Sequence, residues 1–115
     1  MKNENKAAEA DWRIFRELRE LALERFCERI LKEIRKLSEN GGSYHEVYGE
    51  IYTLVHKRDK QIAAAFDDAR RSRMLEQLMQ ICRMGLLAPD EIARFSEITQ
   101  DWVSKFAGNE PADKE

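Results

Sequence analysis

His45, His56, Cys27 and Cys82 are the side chains of this 115-residue chain best equipped for metal, proton-transfer or nucleophilic chemistry. His45 and Glu46 open "HEVYG", which starts like the helical pattern in which two histidines four residues apart bind zinc and a glutamate acts as base. Gly49 stands where the second histidine is required, so the ligand pair is missing. His56 follows eleven residues after His45, and on one helix that separation is about 16 Å of rise, too far for a shared ion. Both histidines read as surface or edge residues. A cysteine nucleophile needs a neighbouring base and an exposed, electropositive setting. Cys27 and Cys82 instead sit inside apolar helical patterns, so free, buried thiols are expected. No Gly-rich phosphate loop and no strand–turn–helix nucleophile elbow occurs. The expectation is a protein without catalytic machinery, metal or cofactor.

A second candidate is the basic run "HKRDKQIAAAFDDARRSR" from His56 to Arg73. Its six basic residues are interleaved with three aspartates, and at about 100° per residue Lys57, Lys60 and Arg71 point away from the apolar side of the helix. Asp67 is spaced to pair with Arg71. The run reads as a solvated face rather than a phosphate grip. Tyr44, Tyr48 and Tyr52 form a ladder at spacings of four. They read either as a core edge with wet hydroxyls or as a partner-facing aromatic strip.

The elements that carry these residues follow from periodicity. Phe15, Leu18, Ala22, Phe26, Ile30, Ile34 and Leu37 recur at three and four, the signature of an amphipathic helix. It is expected from about Asp11, an N-cap residue, to Ser38. Arg13/Glu17, Arg16/Glu20, Glu28/Lys32 and Arg29/Glu33 are spaced as i,i+4 pairs along its polar side. Gly41 and Gly42 permit a reversal, and Ser43 with Glu46 has the spacing of a capping box. A second helix then carries Val47, Tyr48, Ile51, Val55, Ile62, Phe66 and Ala69, ending or kinking near Arg70 to Ser72. A third, about Ser72 to Met84, offers Leu75, Leu78, Met79 and Cys82 as its core face. Gly85 is its expected terminator, with Leu86 folding back. Pro89 suits a first helical position, and Ser96 is placed to divide residues 89–107 into two helices.

Ile92 to Phe106, "IARFSEITQDWVSKF", resembles the helix-turn-helix spacing of many bacterial repressors. Ala93 matches the small position, Ile98 the turn position and Thr99 the cap of the second helix. The resemblance implies Gln100, Ser104 and Lys105 as nucleic-acid contacts. Glu97 departs from the glycine usual in that turn, and Ser96 is polar where an apolar residue is common. From Ala88 onward seven acidic residues face three basic ones, a balance that phosphate repels.

Composition agrees with an all-α chain. Charged residues make up 37%, with five glycines, two prolines and a net charge of -2. That is helix-former usage with little provision for sheet turns. The expected architecture is an antiparallel bundle of four or five helices: a long helix 1/helix 2 hairpin covered by shorter C-terminal helices. Residues 1–107 are expected to form one domain with 1–8 mobile, and 108–115 a disordered acidic tail. No signal peptide or spanning segment is seen, which implies a cytoplasmic location without membrane contact.

Two functions remain. The first is a small protein-interaction module that self-associates as a homodimer or docks on another protein. Its motive is the wide apolar stripe of helix 1, where Trp12, Ile14, Leu21, Leu23 and Leu31 lie beside or outside the core row and call for a partner surface. The alternative is nucleic-acid binding through residues 92–106.

Overall fold

Helix α1 runs from Lys2 to Ser38 in the computed structural model, which describes residues 2–106. It is followed by α2 (Tyr44–Phe66), a 3-10 turn (Arg71–Arg73), α3 (Met74–Arg83), α4 (Pro89–Ile92) and α5 (Glu97–Phe106). All of this is helical, and the long α1/α2 hairpin packs against α3 and α5. The tail 108–115 lies outside the described residues.

The core row of α1 is buried as its spacing predicts from Phe15 to Ile30, whereas Ile34 and Leu37 are only half-buried. Phe15, Leu18, Ala22, Phe26 and Ile30 are buried together with Ala65 and Phe66 of α2, Met74, Leu78 and Ile81 of α3, and Leu86, Phe95 and Val103. Burying each large side chain of this set contributes about 1.5–3 kcal/mol. The helix start is different. Asp11 does not cap α1; it lies well inside it and is only 4 % exposed. It stands four residues before Phe15 and seven before Leu18, so it belongs to the buried row.

The α1–α2 turn is built as its residues require. Gly41 and Gly42 take φ of 88° and 97°, and the Ser43 hydroxyl accepts from the Glu46 N–H while Glu46 Oε1 accepts from the Ser43 N–H. The end of α2 comes earlier than expected, at Phe66. Asp67 is extended, and Asp68 adopts φ 55°, a left-handed conformation that aspartate tolerates better than most residues. Arg70 then clasps Asp68 at 2.6 and 3.3 Å. Arg19 of α1 donates to the Phe66 carbonyl through Nε and Nη2, giving an orphan C-terminal acceptor its partner.

This break rotates α3. Met74, Gln77, Leu78 and Ile81 are buried, whereas Leu75 is exposed and Met79 and Cys82 are half-buried. The expected face of Leu75, Leu78, Met79 and Cys82 is off by about one residue. The left-handed Asp68 and the 3-10 turn do not carry the phase of α2 into α3. Gln77 fixes the new phase by donating from Nε2 to the Asp67 carbonyl at 2.8 Å.

Gly85 (φ 70°) ends α3, with Gly85 N–H donating to Cys82 O and Leu86 N–H to Ile81 O. That is the paired bonding of a Schellman ending, and Leu86 is buried as expected. Glu91 accepts from the Ala88 N–H at the start of α4 and takes both arms of Arg25 at 2.8 Å. The Arg25 guanidinium and that backbone bond hold the Glu91 carboxyl down at about 2, from an ordinary 4.5. Because the folded value lies below the unfolded one, the stabilisation is present above pH about 4.5 and is lost as pH falls toward about 2. Urea titrations across that window are expected to show a shallower loss of stability with acid for Glu91→Gln than for the parent protein. Equal slopes would mean that the pair contributes nothing.

The molecule is elongated, 62 × 26 × 18 Å, with a radius of gyration of 16.9 Å where about 13 Å is usual for this length. The buried residues form a head at one end. None of the described residues between Ile30 and Ala65 is buried, so the rest of the hairpin projects as a two-helix arm.

Candidate interaction surface

The side chains suited to chemistry do not converge. His45 and His56 are exposed, and the His56 ring stacks on Tyr52 at 5.7 Å. Among the described residues no three His, Cys, Asp or Glu side chains are grouped to hold a metal. Cys27 and Cys82 are free but half-buried, not buried as expected. Burial pushes the Cys82 thiol up to about 11, so little thiolate forms near neutrality.

One buried polar cluster went unseen in the sequence. Asp11 Oδ1 accepts from the Ser96 N–H at 2.8 Å, and Oδ2 accepts from the Ser96 and Thr99 hydroxyls, both at 2.7 Å. Both hydroxyls donate to the carboxylate, leaving neither oriented toward a base. The cluster is a helix cap supplied from across the molecule. Ser96 Oγ also accepts from the Thr99 N–H at 3.4 Å, so Ser96 divides α4 from α5 as its position predicts. The signal for Asp11 was its place in the Phe15 row.

The basic run is also used internally. Arg58 forks onto Glu33 at 3.0 and 2.8 Å, Arg71 onto Glu9 at 2.8 and 3.0 Å, and Arg70 onto Asp68. Arg73 lies 3.7 Å from both Asp68 and Glu76. The expected Asp67–Arg71 pair gives way to Arg71–Glu9. Along α1 only Glu28–Lys32 appears of the expected i,i+4 pairs, at 3.4 Å. Glu17 pairs with Arg94, Glu33 with Arg58, and Arg29 donates to the Met84 carbonyl. Partners across the molecule replace neighbours one turn away.

The candidate partner residues of α1 separate into two flanks. Trp12 is half-buried, stacked on Phe15 at 5.9 Å with the Arg71 guanidinium over its ring. Ile14 and Leu23 are half-buried against the core. Leu21, 39 % exposed, stands one turn before Arg25, which reaches Leu86 and Glu91 on the α4 side. Leu31, 58 % exposed, lies toward α2. With Cys27, Ile30 and Ile34 it lines one wall of an open groove of about 390 Å³, whose other wall is Val55, Arg58, Asp59 and Ile62. The five residues therefore make no single face.

Exposed apolar side chains are found along the arm, and also at Leu75, Ile98 and Phe106 of the head. Tyr48, Tyr52 and Val55 are 65, 59 and 44 % exposed, although Tyr48 and Val55 sit in the row read as the apolar face of helix 2. Tyr44 is fully out at the tip, and Tyr48 and Tyr52 stand 6.4 Å apart as tilted rings. Periodicity alone could not reveal this, because nothing in it says how far along α2 the covering helices extend.

The residues matched to a helix-turn-helix are placed differently from that motif. Ala93 and Ile98 are exposed, and α4 is four residues long. Gln100 donates to the Ala93 and Phe95 carbonyls at 3.2 and 2.7 Å. Ser104 and Lys105 are exposed, with Lys105 4.0 Å from Asp101. No protein family, curated protein or solved structure matches this chain.

Proposed function

We propose that the protein is a small cytoplasmic helical interaction module, non-enzymatic and self-associating, and that its arm carries the association. The observation behind this reading is the stretch between Ile30 and Ala65, which has no buried side chain yet exposes Leu31, Tyr48, Tyr52 and Val55. Helices in proteins draw most of their stability from packing an apolar face. Two helices alone bury one seam between them; a second pair laid against them completes a four-helix arrangement. Contiguous wet apolar surface of this kind marks an interaction site. Ile14 and Leu23, by contrast, are already engaged by the head.

A reducing compartment suits the two unpaired thiols. No helix among the described residues is long and apolar enough to cross a membrane. The nucleic-acid reading would rest on Gln100, Ser104 and Lys105, of which Gln100 is engaged in its own turn and Lys105 faces Asp101.

Sedimentation equilibrium at micromolar concentration is expected to show a dimer. Leu31→Glu combined with Val55→Glu is expected to give a monomer whose head melts as before, since exposed positions change stability by only about 0.5 kcal/mol. A parent protein that sediments as a monomer at every concentration would overturn self-association.

A further inference from the structure

Beside the seam it shares with α1, α2 carries a second row. His45, Tyr48, Tyr52, Val55 and Asp59 recur at spacings of three and four, the repeat by which one helix packs along another. His56 adds to this row, its ring parallel to Tyr52 within 16°. Gly49 lies in the interior of the helix on the same flank, and nothing stands within 4 Å of where its Cβ would be. Glycine there weakens the helix relative to alanine. Packing within the chain gives no reason for it, whereas close approach of another backbone would.

The row is self-complementary about Tyr52. A second α2, reversed in direction and laid on the first, sets residues equally distant from Tyr52 against one another. His45 then meets Asp59, an imidazole against a carboxylate. Tyr48 meets His56, repeating the ring contact already present between Tyr52 and His56. Gly49 lies on the edge that also carries His56, where the absent Cβ lets the reversed helix approach closely. A two-fold axis makes every pairing occur twice. The parallel alternative sets Asp59 on Asp59, which repels.

We propose that the occupant of this face is a second copy of the chain, docked antiparallel along α2 with Tyr52 at the two-fold axis. The inference rests on the reading that the protein self-associates, and adds the face, direction and register. Contact extends from His45 to Asp59, about 21 Å of helix. The tip of the second copy, with its Tyr44 and Tyr48, arrives beside Asp59 and hence beside Leu31 in the groove.

Single cysteines placed in a Cys27→Ala/Cys82→Ala background test the register, with association and helicity checked beforehand by sedimentation and circular dichroism. Under copper–phenanthroline oxidation Tyr52→Cys is expected to cross-link to itself, since only an axial residue meets its own copy within disulfide reach. His45→Cys and Asp59→Cys are expected to cross-link when mixed and not when either is alone. Charge exchange reads the same register without oxidation. Asp59→Lys alone is expected to weaken the dimer by about tenfold or more, and His45→Glu added to it to restore the affinity to within about threefold. A dimer that cross-links through Leu31→Cys but not Tyr52→Cys, or whose affinity the double exchange does not restore, overturns the register while self-association stands. A monomer throughout overturns both.

Discussion

Asp11→Ala is expected to remove roughly 3 kcal/mol from the unfolding free energy, read from urea denaturation near neutral pH. The carboxylate is 4 % exposed and accepts three hydrogen bonds from Ser96 and Thr99. Its removal leaves one backbone and two hydroxyl donors without their acceptor where water has little access, and each such donor costs about 1–3 kcal/mol if nothing replaces the bond. It also releases the start of α5, whose Val103 belongs to the core. Asp11→Asn keeps the shape but turns an amide N–H toward hydroxyl donors, so a smaller loss is expected. Ser96→Ala, which deletes a cap hydroxyl but keeps the Ser96 N–H bond to Asp11, is expected to cost about 1 kcal/mol. Equal costs for Asp11→Ala and Ser96→Ala would show that the carboxylate acts through Ser96 alone.

Phe66→Ala is expected to cost about 4 kcal/mol, whereas Leu54→Ala is expected to cost about 1 kcal/mol or less in the monomer. Phe66 is fully buried, beneath the Arg19 guanidinium at 5.9 Å. Truncation there opens a cavity in the head and removes the ring on which α1, α2 and α3 converge. Leu54 lies in the arm and is only half-buried, so water fills the space it vacates. The comparison is made on dilute protein, where association does not contribute. Comparable losses at the two positions would mean that arm and head unfold as one body and that the arm is better packed than its exposure indicates.

Local rules carried much of the fold. The Phe15–Ile30 row, the Ser43/Glu46 box and the Gly85/Leu86 ending all depend on residues a few positions apart, and each is found where its spacing predicts. The failures arise where a partner is distant or the backbone phase is lost. Arginine partners are the clearest case. Arg19 and Arg25 donate to the carbonyls of Phe66 and Leu86, and a carbonyl has no side-chain signature to find. Asp11 was legible in part, since a carboxylate in an apolar row calls for buried donors. The identity of those donors was not. The face of α3 turned because Asp68 took a left-handed conformation, which the motif "FDDARR" does not dictate. The width of the α1 stripe was read as one surplus face, yet α1 has neighbours on two flanks. Apolar surface is left over on α2 as well as at Leu21 and Leu31 of α1.

The contacts that close the head have a consequence for the order in which the protein folds. Asp11 is separated from its donors by 85 and 88 residues, and Glu17 from Arg94 by 77. The α1–α2 turn, by contrast, closes through bonds spanning three residues. During synthesis the hairpin can form while the residues that seal the head are still held within the ribosome. In that interval Phe15, Phe26 and Phe66 have only each other's helices for cover, and the arm's aromatic row is already complete. On the proposed α2 interface, two nascent hairpins on neighbouring ribosomes can meet before either head has shut, which would make assembly on the polysome a competitor of folding rather than its sequel.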